Sequence, residues 1–228
     1  MGDDLPDSLE QRYRTVSAEV ANAANACGRN ASDITLVVVT KFQPISLIRE
    51  LYALGHRDFG ENRHQEAVVK HAETTDLDAV WHFVGQLQSN KAKAVAQYAD
   101  IIHSIDRDSL VTKLADQERH VDIFIEINLT DDPGRGGVMP DHLNELVDKA
   151  LQVPQLTLKG LMAVAPQDEE PARAFERVNV MRDGVLALAP HATDLSMGMS
   201  GDFSEAIVAG ATHLRIGTAI TGKRPPRD

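Results

Sequence analysis

A lysine follows directly after the first strongly apolar segment of the sequence. Residues 34–40 read ITLVVVT, and Lys41 comes next. A free lysine amine is protonated at neutral pH, but desolvation by apolar walls favours the neutral, nucleophilic form. Because a desolvated lysine can form a Schiff base with an aldehyde, Lys41 is the first candidate for covalent chemistry. The alternative is a surface lysine that only ends a strand, and lysines are usually exposed.

Two segments near the other end of the chain are rich in glycine and hydroxyl side chains. Residues 195–210 read LSMGMSGDFSEAIVAG, and residues 214–218 read LRIGT. Exposed backbone amides and the N–H groups of a helix's first turn bind anions. We therefore expect a phosphorylated ligand between Ser200 and Thr218. The alternative is that the glycines, Gly198, Gly201 and Gly217, only form tight turns.

The elements that must position these residues alternate regularly along the chain. Eight short apolar segments are predicted as strands: 34–40, 57–60, 80–85, 100–105, 121–129, 156–164, 193–197 and 213–217. Helical patterns occupy 44–54, 61–73, 86–98, 107–119, 140–152, 168–189 and 203–210. This order predicts an α/β fold, a (β/α)8 TIM-type barrel. An open doubly wound sheet is the alternative, and the absence of a G-x-G-x-x-G turn after the first strand disfavours it.

A closed barrel brings the two candidate regions together. Strands 1 and 8 are neighbours in such a barrel, active sites lie at the carboxyl ends of the strands, and phosphate often binds the loops after strands 7 and 8. A lysine at the exit of strand 1 beside a phosphate-binding cup describes a site for pyridoxal 5'-phosphate. The aldehyde would meet Lys41 and the phosphate would meet the two loops.

Size and composition set the frame for this barrel. The 228 residues are predicted as one domain, with a helical extension over 1–33 that packs on the N-terminal side of the barrel and a frayed tail over 223–228. The net charge of −11 argues against nucleic acid as a partner. The chain shows no run of about 18 apolar residues and no apolar leader, so we expect neither membrane insertion nor export. The one cysteine, Cys27, is expected to be a buried thiol in a cytoplasmic protein.

Seven segments, in order from strand 1 to strand 8, closely resemble the pyridoxal phosphate homeostasis protein family, the single-domain relatives of the alanine racemase N-terminal barrel. They are VVVTKFQP around Lys41, FGENRHQE from Phe59, WHFVGQLQSNK from Trp81, HSID from His103, GLMAVAP from Gly160, LSMGMSGDFSEAI from Leu195 and RIGTAITGKR from Arg215. The resemblance implies the barrel known as fold type III among pyridoxal phosphate proteins.

The resemblance also implies roles for particular residues. Lys41 would carry the cofactor as a Schiff base, and the phosphate would be held by Ser200, Gly217 and Thr218 with help from the Met199 backbone. Arg215 would lie beside the pyridine nitrogen, although it could instead pair with a carboxylate in the barrel mouth.

Two further residues are candidates at or near strand exits. Asn62 is expected to face the cofactor ring or its phenolic oxygen. His82 is expected in the barrel lumen, either at the cofactor or as a hydrogen-bonded structural histidine. No metal site is expected, since the cluster around His64 lacks the H-E-x-x-H spacing of a zinc site.

The resemblance favours a carrier over an enzyme. The expected function is intracellular homeostasis of pyridoxal 5'-phosphate and related B6 vitamers, with possible delivery to apo-enzymes, by a cytoplasmic monomer. An amino-acid racemase is the alternative. In the racemases that the chain resembles, the second base is a tyrosine outside the barrel domain, whereas Tyr13, Tyr52 and Tyr98 of this chain fall on helical patterns. The residues after strand 8 leave little room for a second domain, so efficient racemisation is not expected.

Overall fold

Eight parallel strands close into a barrel in the computed structural model, which describes residues 8–132 and 134–223. Each strand pairs with the next, and β8 pairs with β1 to close the sheet. The strands are β1 (Thr35–Val39), β2 (Asp58–Glu61), β3 (Val80–Phe83), β4 (Ile101–Ile105), β5 (Val121–Ile127), β6 (Leu156–Ala163), β7 (Asp194–Ser196) and β8 (His213–Ile216). The predicted (β/α)8 barrel is confirmed.

Helices connect the strands around the outside of the barrel. They are α1 (Leu9–Ala26), α2 (Ile45–Ala53), α3 (His64–Ala72), α4 (Ala92–Ala96), α5 (Asp108–Ala115), α6 (Leu143–Leu151), α7 (Pro171–Leu188), α8 (Phe203–Val208) and α9 (Thr218–Thr221). Short 3₁₀ turns occupy Ala31–Asp33, Ser89–Lys91 and Pro140–His142. Among the described residues, no helix has both the length and the apolar character needed to cross a bilayer.

Alternating side chains divide each strand between two environments. On β1, Val38 packs into the core between sheet and helices, whereas Val37 and Val39 face the lumen, where both lie close to Gly60 of β2. A Cβ added at Gly60 would come within 2.9 Å of Val37 Cγ1, so this glycine makes room for lumen side chains. The period of two in side-chain direction therefore places every second strand residue inside the barrel.

The N-terminal helix α1 begins with a capping box and packs through one apolar face. The Ser8 hydroxyl accepts from the Gln11 backbone N–H, and the Gln11 side chain accepts from the Ser8 N–H. The buried residues of α1 are Leu9, Val16, Val20 and Ala24. The helix contacts α2, α8 and α9, near the β8–β1 seam.

The predictions for the two chain ends have different outcomes. Cys27, expected to be buried, is exposed because it lies just beyond the last turn of α1, where its Sγ donates to Ala24 O. The predicted frayed tail lies outside the described residues, except for Lys223.

Candidate functional site

The carboxyl ends of β1, β2, β7 and β8 bring the predicted site residues to one mouth of the barrel. β1 pairs with β2 through Val39 and Gly60, and with β8 through Val38 and Ile216. Lys41 and Asn62 each follow two residues beyond the Val39–Gly60 pair. The predicted adjacency of the exits of strands 1 and 8 is therefore present.

Lys41 lies in the turn that follows β1, and its side chain is exposed. The expectation of a lysine desolvated by apolar walls is wrong, because the strand ends at Val39 and the turn carries Lys41 above the rim of the barrel. Phe42, the next residue, has a φ of 64°, a left-handed conformation that is unfavourable for a side chain of this size. Its backbone N–H donates to Glu66 Oε2 at 2.8 Å, which holds the turn in place.

A buried ion pair supports the same turn from behind. Lys70 Nζ on α3 donates to Glu61 Oε1 at 2.6 Å and to the Thr40 carbonyl at 2.8 Å. The Thr40 hydroxyl donates to the same Glu61 oxygen at 2.6 Å. Burial raises the pKa of Glu61, and the charge of Lys70 opposes that rise. Because a buried charge without its partner is costly, this pair fixes the backbone that presents Lys41.

The loops after β7 and β8 present hydroxyl groups at the mouth. Ser200 and Thr218 are exposed, and Gly217 precedes the first turn of α9. A Cβ added at Gly217 would lie 3.7 Å from Val39 Cβ of β1, so the β8 loop lies directly beside the strand that leads to Lys41.

The backbone N–H of Met199 already has a hydrogen-bond acceptor within the protein. Its N–H donates to Asp202 Oδ1 at 2.6 Å. Met199 therefore does not offer a free N–H to a phosphate here, as the resemblance implies it should, unless Asp202 moves aside. The hydroxyls of Ser200 and Thr218 are the donors that remain exposed.

Arg215 is buried in the lumen below this mouth. NH1 donates to Ser196 Oγ at 2.7 Å, and NH2 donates to the Ala163 carbonyl at 2.9 Å. Among the described residues no carboxylate forms an ion pair with Arg215, so the predicted alternative of a paired arginine is not what the geometry shows. Burial lowers the pKa of Arg215 to about 10, and the charge of Glu126 opposes this. The guanidinium is therefore protonated at neutral pH.

A chain of hydrogen bonds runs from Arg215 down through the lumen. Ser196 Oγ lies 2.7 Å from His103 Nδ1, and His103 Nε2 lies 2.9 Å from His82 Nδ1. His82 Nε2 lies 3.1 Å from Asp58 Oδ1, at the start of β2. The members come from β2, β3, β4, β7 and β8, so the chain ties most of the barrel together.

The two ends of this chain fix its direction. Arginine can only donate and an ionised aspartate can only accept. Ser196 therefore accepts from Arg215 and donates to His103 Nδ1, and each histidine donates onward through Nε2. Burial lowers the pKa of His103 well below its usual value, so it stays neutral. Burial by itself would raise the pKa of Asp58, but the hydrogen bond that His82 donates lowers it overall.

His82 is thus a lumen residue whose two ring nitrogens already have protein partners. This arrangement favours the structural alternative over direct contact with a cofactor. Asn62, by contrast, lies at the mouth with Oδ1 buried and without a hydrogen-bond partner in the structure. Of these two candidates, Asn62 is the one that can still accept a ligand donor.

Sequence reasoning missed Ser196, His103 and the Glu61–Lys70 pair. A signal for the first two was present, since each is a polar residue at a lumen position within a strand that otherwise faces a core. Their partnership was not visible, because it joins residues 93 apart in sequence.

Comparisons with known proteins place the chain in a family. Residues 15–225 match the family model described as alanine racemase, N-terminal domain. The chain is 39% identical to the pyridoxal phosphate homeostasis protein of Escherichia coli strain K12, with 97% of each chain covered. It is 37% identical to the protein of the same name from Pseudomonas aeruginosa, with 95% of this chain and 96% of that protein covered.

Solved structures agree with the sequence relatives. PipY of Synechococcus elongatus PCC7942, solved with pyridoxal phosphate bound, matches with a TM-score of 0.83 and 33% identity over 94% of this chain and 100% of that chain. Alanine racemase from Corynebacterium glutamicum matches with a TM-score of 0.67 at 15% identity, covering 93% of this chain and 61% of that chain, and shows the shared fold. The chain belongs to the pyridoxal phosphate homeostasis protein family, within the larger family of the alanine racemase N-terminal domain.

Proposed function

We propose that this protein binds pyridoxal 5'-phosphate at the mouth formed by β1, β2, β7 and β8 and maintains its free level in the cell. The observation that carries the proposal is the convergence of an amine, two exposed hydroxyls and a buried guanidinium on one barrel mouth. The names of the curated relatives, and the PipY structure with pyridoxal phosphate bound, support the same conclusion.

The residues at this mouth fit each functional group of pyridoxal phosphate. Lys41 supplies the amine for the aldehyde, and Ser200 and Thr218 supply hydroxyl donors for the phosphate, beside the backbone of Gly217. Arg215 supplies a donor for the pyridine nitrogen, which is an acceptor. The buried Asn62 Oδ1 lacks a donor and can accept one from the ligand.

The surroundings of Arg215 limit the chemistry that the bound cofactor supplies. Pyridoxal phosphate acts as an electron sink, and the sink is strongest when its ring nitrogen is protonated. Arg215 is a permanent donor, fixed by Ser196 and the Ala163 carbonyl, so it favours an unprotonated ring nitrogen. This supports a binding role over strong carbanion stabilisation.

The exposure of Lys41 also supports a role in delivering the cofactor to apo-enzymes. A lysine at the rim is open to amines in solution, so a ligand held there can be exchanged. We propose that the protein acts as a cytoplasmic monomer that holds the cofactor on Lys41 and releases it to apo-enzymes or as other B6 vitamers.

Absorbance spectroscopy tests cofactor binding. Wild-type protein incubated with pyridoxal phosphate and desalted should keep a visible band, because a Schiff base on Lys41 retains the ligand. Lys41→Ala should lose the band, whereas Lys93→Ala, at an exposed lysine on α4, should keep it. Equal retention by Lys41→Ala and wild type would contradict the proposed site.

A chirality assay distinguishes a carrier from a racemase. The three tyrosines lie on or after helices and already have partners: Tyr13 contacts His56, Tyr52 accepts from the Asp78 N–H, and Tyr98 contacts His64. Two-base racemisation needs an acid or base on each face of the substrate. We therefore expect the loaded protein to leave a panel of L- and D-amino acids unchanged, and robust inversion would overturn the carrier role.

A further inference from the structure

A cavity opens at the same end of the barrel, at the exits of β2, β3 and β4. Its volume is about 650 Å³. Its lining includes Asn62, Arg63, His64, Phe83, Lys91 and Arg107. Lys41, Ser200, Thr218 and Arg215 are not part of this lining. The cavity therefore lies beside the proposed cofactor site and shares Asn62 with it.

The lining of this cavity is cationic, although the net charge of the whole chain is −11. Arg63, Lys91 and Arg107 contribute positive charge, and Glu66 is the one carboxylate in the lining. Glu66 is already engaged by the Phe42 N–H and lies 3.9 Å from Lys70 Nζ. Local charge therefore favours an anionic ligand.

Two of the three cations, Arg63 and Lys91, remain available to such a ligand. Arg107 is already engaged, since it donates to Asp106, to the Leu87 carbonyl and to Ser89 Oγ. The Arg63 guanidinium lies over the Phe42 ring, with Cζ 4.8 Å from its centroid, and has no carboxylate partner among the described residues.

Lys91 is the cation that most clearly lacks a partner among the described residues. Its side chain is half-buried and forms no hydrogen bond or ion pair with any residue that the structure describes. Its Nζ is not one of the buried atoms that lack a partner, so the ammonium group is open to the cavity. A ligand anion in the cavity would supply that partner.

One acceptor at the rim of the cavity also lacks a hydrogen-bond donor. Asn62 Oδ1 is buried and has no hydrogen-bond partner. An unpaired buried acceptor costs free energy that a ligand N–H would recover. The cavity thus combines free cations with an unmatched acceptor, and a ligand that satisfies both must carry both anionic oxygens and an N–H donor.

We infer that this cavity binds a small acidic amino acid. Its carboxylates would meet Lys91 and Arg63, and its ammonium group would donate to Asn62 Oδ1. A dicarboxylic amino acid matches the two available cations better than a neutral one, since each carboxylate has a cationic partner. The inference concerns the cofactor-free protein and does not rest on the proposed function.

Calorimetric titration of the cofactor-free protein with three matched ligands tests this inference. L-Glutamate should bind saturably. L-Glutamine, which lacks the second carboxylate, and glutarate, which lacks the ammonium group, should each bind at least tenfold more weakly. Equal binding of the three, or no saturable binding of L-glutamate, would overturn the proposal.

Variants locate the binding within the molecule. Lys91→Gln and Arg63→Gln should each weaken L-glutamate binding at least tenfold, while Lys93→Gln, two residues from Lys91 and outside the cavity lining, should match wild type. Arg63 is exposed, so its variant is informative even if Lys91→Gln folds poorly.

Lys41→Ala separates this inference from the proposed function. It should still bind L-glutamate, because Lys41 is not part of the lining. If it does so while wild type fails to retain pyridoxal phosphate, only the proposed function is contradicted. Wild-type strength of binding in both Lys91→Gln and Arg63→Gln would contradict the cavity assignment.

Discussion

At the scale of single residues, the site is defined by groups that can act in only one hydrogen-bonding role. Arg215 can only donate, and the protein surrounds it with two acceptors, Ser196 Oγ and the Ala163 carbonyl. Ser196 also connects the guanidinium to His103. One hydroxyl therefore determines both the orientation of the arginine and the tautomers of the histidines beneath it.

Removing this hydroxyl should be costly. Ser196→Ala leaves an Arg215 N–H and His103 Nδ1 without this partner in the buried lumen, and an unsatisfied buried group costs about 1–3 kcal/mol. We expect the free energy of unfolding, measured in urea, to fall by about that amount. Ser204→Ala, at an exposed serine on α8, is the control and should have little effect. A Ser196→Ala protein as stable as the control would show that the hydrogen-bond chain contributes little.

The sequence predicted where Lys41 lies but not how exposed it is. The exit of an apolar strand is visible as the end of ITLVVVT, whereas exposure depends on the height of the following turn above the rim. Likewise, the apolar periodicity gave no sign that Lys70 on α3 reaches back to Thr40 and Glu61. Such contacts depend on the packing of a helix against the sheet, which short-range pattern does not specify.

At the scale of elements, the strands were predicted to within a few residues. Each strand packs one face against the helices and keeps apolar residues on that face, even where its lumen side is polar. Helices were less well predicted where they are short. The expected helix over 86–98 is a 3₁₀ turn followed by the five-residue α4, and α9, four residues long, was not predicted.

Strand β5 carries a buried carboxyl group whose protonation should make stability depend on pH. Burial, followed by the charge of Asp106, raises the pKa of Glu126 from 4.5 to about 7. The folded state then holds a proton that the unfolded state has lost between these two values. Stability from this group is thus fully present below about pH 4.5 and is lost as pH rises through about 7.

The variant Glu126→Gln should remove this part of the pH dependence. One pKa unit corresponds to about 1.4 kcal/mol, so the shift corresponds to about 3 kcal/mol. Urea unfolding at pH values below and above this window should show a smaller loss of stability in the variant than in wild type. Glu19→Gln, at an exposed residue of α1, should behave like wild type. Parallel pH profiles for Glu126→Gln and wild type would contradict the assignment.

At the scale of the whole molecule, charge and site chemistry oppose each other. The chain carries −11, and the proposed ligand carries a phosphate. Long-range repulsion should slow the approach of the ligand, and Lys41, Arg215 and the hydroxyl groups act only at short range. The net charge can be read from the composition. The cationic lining of the cavity at the exits of β2, β3 and β4 is visible only in the folded structure, which brings residues from three strand exits together.

Salt should therefore accelerate cofactor association. Raising ionic strength from about 0.01 M to about 0.1 M shortens the Debye length from about 30 Å to about 10 Å and screens the net negative charge. We expect the association rate of pyridoxal phosphate, followed by stopped-flow absorbance, to rise a few-fold over this range. A falling rate would mean that the cations of the mouth, and not the net charge, control the approach.

The proposed function rests above all on covalent attachment of pyridoxal phosphate to Lys41. Borohydride reduction of the loaded protein, followed by proteolysis and mass spectrometry of the peptides, tests this attachment directly. We expect a reduced pyridoxyl group on Lys41. A reduced group confined to a different lysine, or no adduct at all, would contradict it.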